Sequence, residues 1–355
     1  MVFNPELFAR IEQLRIPFDG RLGTKDWKDW YHFILMDLQQ QIRILVNITL
    51  MGWPEHGEIQ VTFIVHFTAE QVTIPLAISE EIVTFGHAGT QLWRTPLVQP
   101  FPLHIQGRGI DLVLENNRFR VTVQDPRNQL YLQFQALPQA TPLLVTEDSP
   151  FGSGFIGWGL VPGLQVAGEL TLANSRFPLN SNWYCYHDRN FGRFRWGEDI
   201  GWEWFVAFLT SSDGRTFTLV LDKRTNKNHT THGLPYIFIY QGNEVIKIFL
   251  GPALNIDWDW TENAELPIRL PGLMASLFTE RTVKMPQGLQ VYAADEQDQM
   301  LVTAQFNASL ELVVPDNQER QYSFIEEVTG SVELLLLWQG KKIEAKGLIY
   351  AEYVI

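Results

Sequence analysis

A strict alternation of apolar and polar residues recurs along most of this sequence and constrains its fold more than any other feature. Aliphatic residues occupy every second position from Ile42 to Leu50, and a similar run extends from Ile59 to Phe67. Further alternating runs lie at residues 72–78, 130–136, 254–260, 302–312 and 346–353. Successive side chains of a β-strand point to opposite faces, so this pattern is typical of half-buried strands. Turn-forming residues separate the runs, and we therefore predict an all-β protein built from antiparallel sandwiches or barrels.

A single short helix is predicted near the start of the chain. Asn4 can cap it, and Pro5 suits the first helical position because the N–H group that proline lacks has no helical partner there. The apolar residues that share one face of this helix are Leu7, Ile11 and Leu14. We expect the helix to end at residues 16–17, since proline cannot continue it.

The length of 355 residues suggests about two domains. Residues 138–163 are rich in proline, glycine and serine and form the clearest break along the chain. Within them, we interpret the glycine-rich residues 152–157 as a flexible connection. The domain boundary is placed on the far side of this break, near Asn180. The prediction is an N-terminal domain of residues 1–179 and a C-terminal domain of residues 180–355.

The charge of the chain argues against several kinds of partner. The sequence has 27 lysine and arginine residues against 40 aspartate and glutamate residues, for a formal net charge of −13. Nucleic acids and anionic membrane surfaces attract the opposite charge, so neither is an expected partner. We find no apolar run of transmembrane length and no secretion-signal pattern. We therefore expect a cytoplasmic protein with a small-molecule partner.

The most unusual segment is residues 183–204, in which aromatic and charged residues are interleaved. Polar groups among large rings are costly to bury unless each has a partner. If the segment is extended, Tyr186, Asp188 and Asn190 share one face and His187 lies on the other. A carboxyl group enclosed by aromatic rings has a raised pKa and can donate a proton. The alternative is structural, with Asp188 and Asn190 stabilising a turn and pairing with a nearby arginine, and the residues alone favour neither.

Other motifs in the sequence do not indicate a cofactor. Residues 152–157 match the glycine spacing of a dinucleotide-binding loop, but the residues from Trp158 onward cannot begin the helix that such a loop needs. His229 and His232 lie beside a predicted solvated turn, whereas a metal site needs three or four ligands in fixed geometry. Cys185, the only cysteine, is interpreted as a small buried hydrophobic residue. We expect neither a metal nor an organic cofactor.

Residues 186–204 resemble the signature of the carotenoid hydratase (hydroxyneurosporene synthase) and AttH-like family, which consists of lipocalin-like proteins of the calycin group. The family pattern is a His-Asp-x-Asn-Trp-Gly run followed by Trp-Gly and Gly-Trp-Glu-Trp, and this chain differs mainly by having Phe191 in place of a tryptophan. Residues 26–31, 165–171 and 347–354 resemble the start of the first barrel, the strand before the signature and the closing strand. The resemblance implies two lipocalin-like β-barrel domains with an apolar cavity near their junction.

The resemblance also implies a hydrophobic isoprenoid or polyketide-type substrate. Hydratases of the family have a His-x-Trp motif upstream of the signature, and the corresponding residues here are Ile156-Gly-Trp158, so the histidine is missing. We therefore predict a cofactor-free cyclase or isomerase of natural-product biosynthesis, with a hydratase or a non-catalytic carrier as the alternatives. The predicted catalytic residues are Asp188, Tyr186 and His187, and the predicted substrate-binding residues are Trp158, Asn190, Trp196, Trp202, Glu203 and Trp204.

Overall fold

The computed structural model describes residues 3–16, 26–53, 56–68, 82–93, 98–100, 102–316 and 321–355. The chain divides into two compact units, Met1–Arg195 and Trp196–Ile355. Regular structure in the described residues is almost entirely antiparallel strand, which confirms the predicted all-β class. The α-helices of this part of the chain are α1 (Pro5–Glu12) and the short α2 (Gly272–Ala275). Neither of these described helices has the length and hydrophobicity needed to cross a membrane.

The first unit contains two seven-stranded sheets. The strands of one sheet are β1 (Trp27–Asp37), β2 (Ile42–Trp53), β3 (His56–Thr68), β4 (Ile82–Trp93), β10 (Leu143–Phe151), β11 (Gly154–Val161) and β14 (Trp183–Arg193). Those of the other are β5 (Val98–Pro100), β6 (Leu103–Gly107), β7 (Ile110–Glu115), β8 (Arg118–Asp125), β9 (Leu130–Pro138), β12 (Leu164–Leu172) and β13 (Ser175–Leu179). The strands pair in the orders β10-β11-β14-β1-β2-β3-β4 and β13-β12-β9-β8-β7-β6-β5.

One apolar core fills the space between these two sheets. Phe33 of β1 packs edge-on against Phe119 and Phe134 of the second sheet, with ring centroids 5.3 and 5.7 Å away. On β14 the residues that join this core include Trp183 and Cys185. Because side chains alternate along a strand, the even-numbered residues of β14 face away from the core.

Helix α1 covers part of the same core. The side chain of Asn4 accepts hydrogen bonds of 3.1 Å from two backbone N–H groups of the first turn, which confirms the predicted cap. Phe8 packs edge-on against Phe119, with centroids 5.8 Å apart. The last helical residue, Glu12, is buried although it carries a charge, so its carboxylate requires partners inside the unit.

The second unit is one ten-stranded sheet. Its strands are β15 (Gly201–Ser211), β16 (Thr216–Thr225), β17 (Tyr236–Gln241), β18 (Glu244–Leu250), β19 (Leu254–Trp260), β20 (Arg269–Leu270), β21 (Pro286–Ala294), β22 (Gln299–Pro315), β23 (Tyr322–Trp338) and β24 (Lys341–Val354). The order is β18-β17-β16-β15-β24-β23-β22-β21-β19, with β20 parallel to β22. Ile237 of β17 and Leu289 of β21 belong to one core although their strands are far apart in this order, so the sheet curls around that core.

The organisation of the chain differs from the sequence prediction in two places. The compact units divide between Arg195 and Trp196, after β14, whereas the predicted boundary lies near Asn180. Strand β14 pairs with both β1 and β11, and this pairing ties it to the first unit. The prediction of a break at residues 138–163, with a flexible connection at residues 152–157, is wrong, because β10 and β11 form a hairpin there. The predicted strand at residues 72–78 lies outside the described residues.

Candidate active site

Strand β14 carries most of the unusual aromatic and charged segment. The segment is extended, so its successive side chains point to opposite faces of the sheet. On the outer face, away from the core of the unit, Tyr186 and Asn190 each donate a hydrogen bond to Asp188. His187 and Arg189 lie on the inner face, against β1 residues and helix α1. This is the division of side chains that we predicted for an extended segment.

Asp188 is the centre of a buried polar group on the outer face. Its Oδ2 accepts a 2.7 Å hydrogen bond from the Tyr186 hydroxyl and a 3.0 Å bond from Trp158 Nε1. Its Oδ1 accepts a 3.1 Å bond from Asn190 Nδ2. Asp188 is 3 % exposed, so this carboxyl group is almost completely shielded from solvent. The structure therefore brings together four of the predicted site residues.

The local sequence explains why these four side chains meet. Tyr186 and Asn190 are each two positions from Asp188, and residues at this spacing lie on the same face of a strand. Trp158 of β11 is the Cα partner of Asn190, so its side chain lies on that face as well. Gly157 makes room for the pairing, since a Cβ atom there would lie 2.1 Å from the Phe191 ring.

The three hydrogen bonds to Asp188 come from uncharged donor groups. Oδ2 accepts two of them and Oδ1 accepts one. Burial disfavours the charged form of a carboxyl group, while hydrogen bonds to that form favour it.

His32 of β1 is a residue of this face that the sequence analysis missed. It is the Cα partner of Asp188, so both side chains lie on the outer face, directly opposite each other. Burial, with a smaller contribution from nearby His187, lowers the pKa of His32 to about 3. The neutral imidazole of His32 therefore lies opposite the Asp188 carboxyl group on the neighbouring strand. Only the register of β1 against β14 identifies His32 as a site residue, and the local periodicity of the sequence does not specify that register.

The inner face of β14 contains a buried ionic network around Arg189. The guanidinium donates to Glu12 Oε2 at 3.3 Å and to a carboxylate oxygen of Asp29, and it lies 3.6 Å from the centre of the Tyr31 ring. Burial raises the pKa of Asp29, although Arg189 and a backbone hydrogen bond from Arg15 oppose this change. The network connects helix α1, β1 and β14, and its cation balances carboxylates that would otherwise be costly to bury.

His187 belongs to this network and is fully buried. Its Nε2 lies 3.1 Å from Glu12 Oε1, its Nδ1 lies 2.9 Å from the backbone oxygen of His32, and its ring stacks on Phe33 at 4.3 Å. Both ring nitrogens are therefore engaged by the protein, on the face opposite Asp188. Of the three predicted catalytic residues, the structure brings Asp188 and Tyr186 into direct contact and places His187 on the other side of the sheet.

The remaining predicted aromatic residues belong to the second unit. Trp202 and Trp204 share one face of β15, and the Trp196 ring lies 5.9 Å from the Trp202 ring. Trp202 Nε1 donates a 2.8 Å hydrogen bond to Glu352 Oε2 on the neighbouring strand β24. These contacts orient the indole rings from within the second unit.

Glu203 lies on the other face of β15, between the two tryptophans in sequence. Its carboxylate accepts hydrogen bonds of 2.8 Å from Lys223, 3.0 Å from His229 and 2.9 Å from Trp258. Burial opposes ionisation of this group, but these hydrogen bonds outweigh it and lower the pKa of Glu203 below its usual value. An ionised carboxylate with three hydrogen-bond partners is suited to holding β15 against the neighbouring elements. Such a carboxylate has no proton to donate near neutral pH.

The second unit also contains a buried acid that the sequence analysis missed. Glu327 of β23 is the Cα partner of Glu352, so the two carboxyl groups lie on one face of adjacent strands. Burial, reinforced by the charge of Glu352, raises the pKa of Glu327 well above its usual value. The sequence signal was the pair of glutamates inside the apolar run at residues 324–328.

Two further observations concern nucleophile and metal chemistry. Cys185 is buried on the inner face of β14, and burial raises the pKa of its thiol, so the interpretation as a small hydrophobic residue is confirmed. Among the described residues, no group of three or more histidine, cysteine, aspartate or glutamate side chains has the arrangement of a metal site.

The architecture is that of the lipocalin-like AttH fold, as the resemblance of residues 186–204 implied. A putative AttH protein from Nitrosomonas europaea has 14% sequence identity and a TM-score of 0.58, with 96% of each chain covered. Kievitone hydratase from Nectria haematococca has 11% identity and a TM-score of 0.56, with 97% of this chain and 94% of that chain covered. CghA, solved with Sch210972, has 9% identity and a TM-score of 0.53, with 96% and 94% covered.

The comparison with sequences adds no relative. No family model matches this chain, and no curated protein matches it. At the low identities of the matching structures the likeness establishes the fold, and the reaction has to be argued from the residues of this chain.

Proposed function

We propose that this protein is a cofactor-free cyclase or isomerase that acts on a hydrophobic polyene, terpenoid or polyketide. The observation that carries the proposal is the buried Asp188 carboxyl group, held by Tyr186, Trp158 and Asn190. A shielded acid beside aromatic rings suits proton transfer to an apolar molecule. A protein named as a hydratase has the same fold, which supports an enzymatic role.

In the proposed reaction, Asp188 Oδ1 donates its proton to an alkene carbon of the substrate. The hydrogen bonds from Tyr186 and Trp158 stabilise the carboxylate that forms, because such bonds strengthen when the acceptor becomes charged. A second alkene of the same molecule attacks the carbocation and closes a ring. Loss of a proton to His32 or back to Asp188 then gives a product that is an isomer of the substrate, so no co-reactant is consumed.

An aromatic side chain supplies the second part of the proposal. We assign the ring of Trp158 to substrate contact, where its π face stabilises developing positive charge and excludes water. If ring closure is pericyclic, the site acts by holding the substrate folded, and orientation alone can contribute about 7–11 kcal/mol. His187 is assigned a structural role, because it contacts Glu12 and the core rather than the outer face.

Hydration of an alkene is the second candidate reaction. Its support is the neutral imidazole of His32 opposite Asp188, since such a group can accept a proton from an attacking water molecule. Ile156 argues against hydration, because it occupies the position where the hydratases that this sequence resembles have a histidine. The hydration product contains one water molecule more than the substrate, so the two reactions are distinguishable by mass.

The test is incubation of the protein with a panel of terpenoid and polyketide polyenes in oxygen-18 water, followed by mass spectrometry. We expect an unlabelled product with the mass of the substrate. A product that gains labelled water would establish a hydratase. Binding of polyenes without conversion of any of them would indicate a non-catalytic carrier.

Replacement of Asp188 by asparagine tests the acid itself. Asp188→Asn keeps the size of the side chain and removes the proton, so we expect turnover to fall by at least about 100-fold while the substrate dissociation constant changes little. Asp259→Asn, at an exposed position of β19, is the matched control and should retain turnover. Near wild-type turnover of Asp188→Asn would exclude the assigned role.

A further inference from the structure

The first unit contains a cavity of about 550 Å³ that is separate from the outer face of β14. It lies between β3 and β4 of one sheet and β7 and β8 of the other, and Leu130 at the start of β9 also lines it. Its volume is within the range of about 300–1,000 Å³ that is common for small-molecule sites. No step of the proposed cyclase reaction uses this space.

The strand register places this cavity on the inner side of the sheet. His187, Phe33, Val46, Phe63 and His87 are successive Cα partners from β14 through β1, β2 and β3 to β4. His87 and Phe63 line the cavity, so the cavity lies on the same face of the sheet as His187. Asp188 lies on the opposite face. A substitution in the cavity can therefore be separated experimentally from a substitution at the Asp188 site.

The floor and the mouth of the cavity differ in chemistry. The apolar residues that form its walls are Ile59, Val61, Phe63, Ile110, Val123 and Leu130. At the mouth, Arg108 and Arg127 are exposed, while the buried Asp125 pairs with His87 at 3.3 Å. The charged side chains among the described lining residues are thus two arginines and one aspartate. This excess of positive charge stands out in a chain with a formal net charge of −13.

The turn that carries Arg108 has a fixed shape. Gly109 has a φ of +78°, and a Cβ atom there would lie 2.5 Å from the backbone oxygen of Gln124, so only glycine fits. The backbone N–H of Arg108 donates to the Gln91 side chain on β4, which spans the gap between the two sheets. The arginine is therefore presented at the mouth by an ordered turn.

We propose that this cavity is a binding site for a hydrophobic carboxylate, with the hydrocarbon part against the apolar walls and the carboxylate at Arg108. A guanidinium group pairs with a carboxylate through two parallel hydrogen bonds, which gives both charge balance and orientation. Burial of the hydrocarbon part supplies most of the binding free energy. This site is independent of the proposed cyclase reaction and does not require it.

The test uses the full chain and the fluorescence of cis-parinaric acid, with its methyl ester as the uncharged probe. Wild type is expected to bind the acid more tightly than the ester. Arg108→Glu should weaken binding of the acid by about tenfold and leave binding of the ester unchanged. Arg118→Glu makes the same charge change at an exposed position of β8 that does not line the cavity, and it should bind both probes as wild type does.

A filling substitution tests the cavity without changing charge. A Cβ atom at Gly89 would lie 3.1 Å from the tip of the His87 side chain, which can move, so Gly89→Leu is compatible with the backbone. It should weaken binding of both the acid and the ester. Absence of binding by wild type, equal effects of Arg108→Glu and Arg118→Glu on the acid, or unchanged binding by Gly89→Leu would each overturn the proposal. Asp188→Asn should leave both affinities unchanged, because Asp188 lies on the opposite face of the sheet.

Discussion

The two faces of β14 hold buried carboxyl groups with different kinds of partner. On the inner face, Glu12 and Asp29 share the guanidinium of Arg189, so a cation balances their charge. On the outer face, the donors to Asp188 include an indole, a phenol and an amide, which are all neutral. A buried carboxylate beside a cation is a structural element, whereas a buried carboxyl group among neutral donors can retain a proton and use it. Under the proposed function, the inner face stabilises the unit and the outer face carries the chemistry.

The largest effect on stability is expected from removal of the cation on the inner face. Arg189→Met leaves Glu12 and Asp29 buried without their positive partner, and we expect the free energy of unfolding to fall by about 3–5 kcal/mol. Urea denaturation followed by circular dichroism measures this change. Arg193→Met, at an exposed position of the same strand, is the control and should change stability by less than about 0.5 kcal/mol. Equal stability of the two variants would show that the inner network is not stabilising.

A smaller effect on stability is expected from replacement of His187. Its effect on turnover decides between a structural and a catalytic role for this residue. His187→Gln retains polar atoms near Glu12 but loses the stacking on Phe33, so we expect a loss of about 1–3 kcal/mol in unfolding free energy. Turnover per folded molecule should remain near that of wild type, because the side chain faces the core. If the folded variant loses turnover as Asp188→Asn does, the original prediction of a catalytic histidine is correct and the division between the two faces fails.

The separation of the two faces was predictable from the sequence, whereas their partners were not. Alternation along residues 186–190 is local information, and it placed Asp188 and His187 on opposite sides of the strand. The partners come from elsewhere in the chain: Glu12 from the N-terminal helix, His32 from β1 and Trp158 from β11. Pairing between distant strands is set by tertiary structure, and a single sequence does not reveal its register. Trp158 was identified only through the family resemblance.

The fold class was also predictable from the local alternation of apolar and polar residues. The segment that was predicted wrongly, residues 138–163, differs for a physical reason. Residues 138–163 contain glycine and proline, which usually mark loops. Here the glycines permit close approach of strands, since a Cβ atom at Gly154 would lie 1.6 Å from the backbone oxygen of Arg193. Glycine in a strand often has this role, but composition alone does not distinguish it from a turn.

The smallest effect that we predict concerns Glu326, a buried carboxyl group of the second unit. Burial and the neighbouring charge of Glu311 raise the pKa of Glu326 from 4.5 to about 9. The folded protein therefore retains a proton that the unfolded chain releases, and stability is lost as the pH rises through this range. The slope is at most about 1.4 kcal/mol per pH unit for one proton.

Glu326→Gln removes this titration and should flatten the dependence of stability on pH. Urea denaturation at a series of pH values between about 5 and 9 measures the slope for both proteins. We expect the variant to be more stable than wild type at the alkaline end, because it does not have to hold a proton. Parallel curves for the two proteins would mean that Glu326 is already ionised in the folded state, with Arg269 and Arg281 as the dominant influence.

The central claim is that Asp188 holds a proton near neutral pH. Difference infrared spectroscopy of wild type against Asp188→Asn, at about pH 7, isolates this one group from the other buried acids. The account predicts that wild type has a protonated carboxyl C=O stretch that the variant lacks. A difference spectrum that contains only carboxylate stretches would contradict it.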